Sequence, residues 1–197
     1  PGQRIRHHGV DILGPLDGDL LQNFAAEGQS AIGPRIIVHG RVLDENGRGV
    51  PKALLEFWQA NAGGRYRHKK EGYLAPLDPN FAGAGRCMTS EAGEYRFTTI
   101  KPGAYPWGNH ENAWRPAHIH FSLFGTNFLS RLVTQMYFPG DPLLALDPIY
   151  NGIPDETTRA IISTGVTVTL DGPDHLAKEV VVHGTLDVAE GDPLNLL

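Results

Sequence analysis

The sequence predicts an all-β fold: an antiparallel β-sandwich with long loops and at most short helices. Glycine (24) and proline (15) account for 39 of the 197 residues, which interrupts the chain too often for long helices. Seven segments alternate apolar and polar residues or are rich in β-branched residues, and Gly/Pro turns separate them. The hydrophobic share of 41% supports one buried core, and this length is typical of a single domain.

The seven predicted strands follow one another along the chain. They span residues 35–44, 53–60, 93–100, 117–125, 131–138, 165–170 and 178–188. Asn46-Gly47 follows the first strand, and this dipeptide favours a tight hairpin turn, so we expect the second strand to pair with the first. A short helix is predicted over 154–163, because Pro154 suits a first helical turn and acidic residues follow it.

Two segments outside these strands have their own character. Residues 1–31 are rich in glycine and polar groups and contain one helix-like patch around Leu20, Leu21 and Phe24. They hold too few apolar groups for a core, so we expect an N-terminal arm that lies across a partner chain, while residues 32–197 form the sandwich domain. Residues 61–92 lack a period but contain several aromatic residues, which is more typical of a functional loop than of a linker.

Charge and composition exclude several classes of protein. The 17 basic and 22 acidic side chains give a net charge of −5 without a long run of either sign, which argues against binding to nucleic acid or to an anionic membrane. The single cysteine, Cys87, cannot form an internal disulfide. No apolar run has the length of a signal peptide or of a membrane span. We therefore expect a soluble cytoplasmic protein, unless a leader was removed earlier.

The segment W-R-P-A-H-I-H-F (residues 114–121) carries the clearest chemical signal. Side chains alternate between the faces of a strand, so His118 and His120 lie on one face with Cα atoms roughly 6.5 to 7 Å apart. Both imidazoles can then reach one metal ion. Ile119 and Phe121 lie on the opposite face and predict packing against a core. Two polar residues on a solvated strand face remain the alternative.

The other ligands of such a metal ion are less obvious from spacing. A facial-triad Fe(II) site needs a carboxylate, but the next acidic residue after His120 is Asp141. A zinc site would need a third histidine or a cysteine as a further ligand. Tyr66 and Tyr105 are a further possibility, because ferric iron is acidic enough to favour phenolate, and two phenolates with one hydroxide neutralise Fe(III). For either tyrosine, a hydrogen-bonded loop aromatic remains the alternative.

Six motifs occur together and in order between about residues 36 and 150. They are G-R-Y-R-H (64–68), Y-L-A-P-L-D-P-N-F (73–81), G-R-C (85–87), I-K-P-G-A-Y-P-W (100–107), W-R-P-A-H-I-H-F (114–121) and V-T-Q-M-Y-F (133–138). In this combination the chain resembles the intradiol ring-cleavage dioxygenases, most closely the branch that cleaves protocatechuate. The resemblance implies a non-haem Fe(III) cofactor held by Tyr66, Tyr105, His118 and His120, with a hydroxide in a fifth position.

The same resemblance implies roles for residues around the metal. Arg115 would stabilise negative charge on the substrate ring, and Gln135 would lie near the O₂ side. Tyr105 would also take part in catalysis by accepting a substrate proton. Trp107 and Ile149 would shape the ring pocket, with Trp58 as a more distant aromatic wall. For Trp58 and Ile149, plain core packing is an equally good interpretation.

The implied reaction is cleavage of protocatechuate (3,4-dihydroxybenzoate) between its two hydroxyls with O₂, giving 3-carboxy-cis,cis-muconate. The implied partner is a homologous α subunit, or further copies of this chain, in a larger oligomer. Three alternatives stay open at this point. They are the same chemistry on hydroxyquinol, 4-sulfocatechol or catechol, a non-catalytic β-sandwich binding subunit, and a cupin-like Fe(II) or zinc enzyme.

Overall fold

The computed structural model describes residues 13–44, 46–108, 111, 113–125 and 131–154, together with the backbone of two strands at 167–170 and 184–188. The strands are β1 (Arg35–Asp44), β2 (Leu54–Gln59), β3 (Ala84–Met88), β4 (Glu94–Ile100), β5 (Tyr105–Pro106), β6 (Trp114–Arg115), β7 (His118–Phe124), β8 (Arg131–Tyr137), β9 (Thr167–Leu170) and β10 (Gly184–Val188). A 3₁₀ helix (Pro142–Leu146) and one turn of α-helix, α1 (Pro148–Asn151), lie between β8 and β9. This arrangement confirms the predicted all-β class with only short helices.

The strands form two four-stranded sheets and a small ribbon. The first sheet has the order β10-β1-β4, with β9 also paired to β1, and the second has the order β3-β2-β7-β8. The ribbon joins β5 to β6. Strand β9 runs parallel to β1, and the other strand pairs in the described part of the chain are antiparallel. The predicted antiparallel sandwich is therefore confirmed, with this one parallel pair as the difference.

The core lies between the two sheets and is rich in aromatic rings. Phe57 on β2 stacks on Phe97 of β4 with ring centroids 3.8 Å apart, and Tyr95 of β4 meets Phe121 of β7 at 5.6 Å. Each pair joins one sheet to the other, so burial of these rings ties the layers together. Because β2 and β7 turn these residues inward, the alternate residues of both strands lie on the outer face of the second sheet.

The predicted pairing of the first two strands is wrong. The Asn-Gly turn forms as expected: Gly47 has φ +74°, and its N–H donates to the carbonyl of Asp44. The returning chain, however, makes only an isolated bridge between Leu43 and Gly49. Strand β2 then joins the second sheet between β3 and β7, because β4 and the pair β9 and β10 already occupy the two edges of β1.

Five further elements differ from the prediction or were missed, and two of them are the short strands β5 and β6. The segment 61–92, expected to be a loop throughout, contains β3, which pairs with β2 over five positions. Gly85 obscures the strand pattern, and a Cβ there would lie 2.4 Å from Leu20 Cδ1. The 3₁₀ helix and α1 were not predicted, and the predicted helix at 154–163 lies outside the described residues after 154. No helix in the described part is long and apolar enough to cross a membrane.

The described part of the arm, residues 13–31, packs on its own chain rather than forming a helix. Leu20 and Leu21 belong to the sandwich core, and the backbone of Leu20 donates to the carbonyl of Thr98 on β4. Asp17 forms a salt bridge with Arg86 on β3. The boundary predicted at residue 31 therefore does not separate the arm from the core. Contact of the arm with a partner chain stays a prediction.

Candidate metal centre

The structure brings the four predicted ligands into one cluster of rings. The histidine rings of His118 and His120 have centroids 4.9 Å apart, and the rings of Tyr66 and Tyr105 meet edge to face at 5.2 Å. Tyr105 lies 5.6 Å from His118, and Tyr66 lies 6.2 Å from His120. The cluster draws on three separate parts of the chain, which only the folded sandwich places together.

Strand β7 delivers both histidines to the same side of the second sheet. Ile119 and Phe121 are fully buried in the core, so the alternation of the strand turns His118 and His120 to the outer face, as predicted. In the sheet, His118 is opposite Tyr137 of β8. His118 is nevertheless as buried as a core residue. Other segments of the chain therefore cover this outer face.

Two glycines allow the tyrosine-bearing segments to cross in close contact, and each glycine lies two residues before its tyrosine. Gly64 has φ +78°, and a Cβ at this position would lie 2.0 Å from the carbonyl oxygen of Ala104. A Cβ at Gly103 would lie 2.3 Å from the carbonyl oxygen of Ala62. Any side chain at either position would push the two segments apart. The crossing therefore sets the spacing between the two phenol rings.

Asn61, which follows β2, holds these two segments in place. Its side-chain oxygen accepts hydrogen bonds from the backbone N–H groups of Gly63 and Arg65, and its amide donates to the carbonyl of Pro76. Its own carbonyl accepts from the N–H of Gly103 at 2.9 Å. Sequence reasoning missed this role, although an asparagine just before a glycine pair, as in Asn61-Ala62-Gly63-Gly64, is a recognisable signal for such a side-chain-to-backbone turn.

Two buried polar atoms in the cluster lack a protein partner. His118 Nδ1 lies 2.7 Å from the carbonyl oxygen of Pro116, which can only accept, so Nδ1 carries the proton and Nε2 keeps its lone pair. Among the described residues, His118 Nε2 and the Tyr66 hydroxyl make no hydrogen bond. Buried polar groups are rarely left unsatisfied, and an imidazole oriented through its other nitrogen is typical of a metal ligand. These residues therefore fit a bound metal ion.

Burial sets the protonation state of the side chains in the cluster. Burial lowers the pKa of His118 to about 4 and that of His120 to about 3, so both imidazoles are neutral and able to bind metal near pH 7. Burial, with the neighbouring Tyr105, raises the pKa of Tyr66 above its usual range. A nearby positive ion is the interaction that would favour its phenolate. In the described residues, no three His, Cys, Asp or Glu side chains are grouped to hold a metal ion.

Arg115 is buried beside the cluster within a network of hydrogen bonds. Its Nη2 donates to Asp147 Oδ2 at 2.7 Å, to Gln135 Oε1 at 2.7 Å and to the Tyr137 hydroxyl at 3.0 Å. The Tyr137 hydroxyl donates in turn to Gln135 Oε1. Burial alone would lower the pKa of Arg115, but the bond to Asp147 raises it overall. The guanidinium therefore carries a full charge next to Tyr105, its partner in the β5–β6 ribbon.

Two of the three predicted pocket residues contact the cluster or the adjacent Arg115. The Trp58 ring stacks on His120 with centroids 4.8 Å apart and planes only 3° from parallel, so it contacts a predicted ligand rather than forming a distant wall. Trp107 lies under the guanidinium of Arg115, 5.5 Å from Cζ. Ile149 is 40% exposed and is not part of the core. Their contact with a substrate stays a prediction.

Sequence reasoning missed Asp147 and Tyr137. Tyr137 lies two residues after Gln135 on β8, so strand alternation alone places it on the same face. Asp147 precedes a proline at the first position of α1, and its Oδ1 accepts from the N–H of Ile149. This Asp-Pro pattern signals a helix N-terminus, but it gives no hint of the ion pair with Arg115.

The sequence profile of the dioxygenase family (Dioxygenase_C) matches residues 10–183. The chain is 65% identical over 156 residues to the protocatechuate 3,4-dioxygenase beta chain of Burkholderia cepacia, covering 79% of this chain and 66% of that one. It is 33% identical over 158 residues to the hydroxyquinol 1,2-dioxygenase of Rhizobium sp. (strain MTP-10005), covering 71% and 50%. The chain thus spans less than two thirds of the length of these relatives.

Solved structures share the fold. The dioxygenase domain of a carbohydrate-binding fusion protein from Streptomyces sp. SirexAA-E matches with a TM-score of 0.55 and 27% identity, covering 78% of this chain and 84% of that domain. Catechol 1,2 dioxygenase from Acinetobacter radioresistens matches in fold with a TM-score of 0.58 and 20% identity, covering 82% and 59%. The chain belongs to the intradiol ring-cleavage dioxygenase family.

Proposed function

We propose that this chain is the iron-binding catalytic subunit of a protocatechuate 3,4-dioxygenase. The enzyme cleaves the ring of 3,4-dihydroxybenzoate between the two hydroxyl-bearing carbons and incorporates both atoms of O₂, giving 3-carboxy-cis,cis-muconate. The observation that carries the proposal is the convergence of two tyrosine and two histidine rings beside a buried arginine. The name of the relative that is 65% identical supports the choice of substrate.

The cofactor of this proposal is a non-haem Fe(III) ion held by Tyr66, Tyr105, His118 and His120. Two phenolate oxygens and a hydroxide balance the charge of Fe(III), so the loaded site is neutral and can be buried at low cost. Neutral imidazoles add no charge to this balance. Bound Fe(III) would supply Lewis-acid polarisation of a catechol, which makes its ring carbons open to attack by O₂.

The chain's own residues orient the substrate and meet its charge. With Fe(III) bound, Tyr105 would be a phenolate, and its oxygen would accept a proton from an incoming catechol to become the neutral phenol. The Arg115 guanidinium, fixed over the Trp107 ring, faces the negative charge that develops on the substrate, and a preorganised cation in a buried site is effective in this role. Gln135, held by Arg115 and the Tyr137 hydroxyl, presents a polar edge beside His120, its partner in the sheet.

A visible spectrum of the iron-loaded protein, with and without protocatechuate, tests this proposal. Phenolate-to-iron charge transfer should colour the protein reddish, Tyr66→Phe should weaken and shift the band, and substrate should perturb it. Consumption of O₂ without added reductant should then give the carboxymuconate with both oxygen atoms incorporated. A colourless protein with stoichiometric zinc contradicts the metal assignment, and a semialdehyde product or a need for ascorbate contradicts the reaction.

The ring substituent is tested by competition among catechols. Hydroxyquinol is the second candidate substrate, because a relative that is 33% identical is named hydroxyquinol 1,2-dioxygenase. The comparison of kcat/KM for protocatechuate, hydroxyquinol, catechol and 4-sulfocatechol separates these choices within the same chemistry. We expect protocatechuate to have the highest value.

The partner proposal is assembly with a homologous α subunit, or with further copies of this chain, in a larger oligomer. It is supported by the similarity to a protein named a beta chain. Sedimentation of the active enzyme should therefore give a mass above that of one chain. A monomer with full activity would contradict this part of the proposal without affecting the metal assignment.

A further inference from the structure

We infer that Asp147 is a positioning residue for catalysis, because it holds the Arg115 guanidinium in place and links it to the predicted pocket residue Ile149. This inference rests on the proposed function, which gives Arg115 its role toward the substrate. Asp147 itself acts through Arg115 and is not assigned any contact with the reacting atoms. The link spans 32 residues of sequence and joins the β5–β6 ribbon to the segment after β8.

The two oxygens of the Asp147 carboxylate have separate partners. Oδ2 accepts from Arg115 Nη2 at 2.7 Å and from Nε at 3.2 Å. Oδ1 accepts from the backbone N–H of Ile149 at 2.9 Å. One side chain therefore ties the guanidinium to the first turn of α1, so the direction of the cation and the place of the Ile149 backbone are set together.

The ion pair between Arg115 and Asp147 is buried, so each charge depends on the other for compensation. Asp147 is fully buried and Arg115 is 3% exposed, so neither charge is shielded by water. The other two side-chain acceptors of Arg115, Gln135 and Tyr137, are neutral. Loss of one member of a buried ion pair leaves the other charge uncompensated, and this costs far more than loss of a surface pair. Without Asp147, we expect the guanidinium to leave its position over Trp107.

The main test compares Asp147→Asn with Asp141→Asn in the iron-loaded protein. Asp141 is a matched control because it caps the preceding 3₁₀ helix through Leu143 N–H and has a second hydrogen bond from Ala117 N–H. Both substitutions replace one carboxylate oxygen with an amide nitrogen at a helix start. We expect Asp147→Asn to keep its iron and colour but to lose about tenfold to a hundredfold in kcat with little change in KM. Asp141→Asn should keep kcat within about twofold.

A double variant distinguishes positioning from a purely structural role. If Asp147 acts through Arg115, then Asp147→Asn should reduce kcat in the native background and have no further effect in Arg115→Leu. In the metal-free protein, Asp147→Asn should lower Tm by on the order of 10 °C, and the double variant should regain part of this loss because no lone charge remains. The Tm comparison tests the ion pair without reference to activity.

Two outcomes would overturn the inference. One is an Asp147→Asn protein with a lowered Tm but native kcat, and the other is an equal loss of kcat in both backgrounds. If Asp147→Asn does not fold, Asp147→Glu replaces it: this variant keeps the charge, displaces it by one methylene, and should lower kcat while iron and colour persist, whereas native kcat would overturn the inference. Failure of the native protein to cleave any catechol would contradict the proposed function instead.

Discussion

Replacing His120 with alanine is expected to cost the protein its iron and its colour. Neutral His120 stacks on Trp58 at 4.8 Å, and its ring closes the cluster between His118 and Tyr66. Mutation of a residue that only orients a metal ligand typically lowers metal affinity by about 10- to 100-fold. Removal of a ligand itself should therefore lower the affinity by more than that. Metal analysis after gel filtration, with the visible spectrum, measures the loss directly.

The matched control for this experiment is His68→Ala. His68 is exposed and lies two residues after Tyr66, so the substitution removes an imidazole from the same loop without touching the cluster. This variant should keep native iron content and colour. Equal loss of iron from both variants, or native iron content in His120→Ala, would show that the metal lies elsewhere.

The second large effect is expected for Arg115→Leu, which should keep its iron and colour but lose most of kcat. Removal of one preorganised charge partner typically costs on the order of 10² to 10³ in rate, and an interaction made only in the transition state lowers kcat rather than raising KM. The variant also leaves the Asp147 carboxylate buried without its cation. Activity should therefore be measured per bound iron and well below the Tm of the variant.

Arg131→Leu is the control for removal of a guanidinium from the same region. Arg131 begins β8 on the second sheet, is exposed, and donates to the Ser122 hydroxyl, so it has no contact with the Arg115 network. Its kcat should stay within about twofold of the native value, because surface substitutions usually change stability by no more than about 0.5 kcal/mol and this one lies outside the network. Native kcat in Arg115→Leu, or loss of its iron, would contradict the role proposed for Arg115.

Much of this architecture could be predicted because it depends on local patterns. Strand alternation predicted that His118 and His120 share one face while Ile119 and Phe121 enter the core, and both expectations hold. The Asn46-Gly47 turn forms where its dipeptide indicated. These features depend on the backbone preferences of a few adjacent residues, so a short stretch of sequence is enough to predict them.

The pairing of β2 and the packing of the arm could not be predicted in the same way. A tight turn reverses the chain but does not select the edge that the next strand joins, and here β1 already has neighbours on both sides. The segment around Leu20 and Leu21 has few apolar residues, yet these two leucines pack into the core of the sandwich beside β3 and β4. Both outcomes follow from competition among distant segments for the same apolar surface. A short stretch of sequence cannot show this competition.

The sequence by itself determined the all-β class and the strand that presents two imidazoles, and by resemblance it led to the proposal of the four ligands. Only the tertiary structure decided how they meet: the crossing at Gly64 and Gly103 sets the spacing of the phenol rings. The ion pair of Arg115 with Asp147 was likewise invisible in the sequence. Its strength arises from burial, and burial depends on the whole fold rather than on either residue.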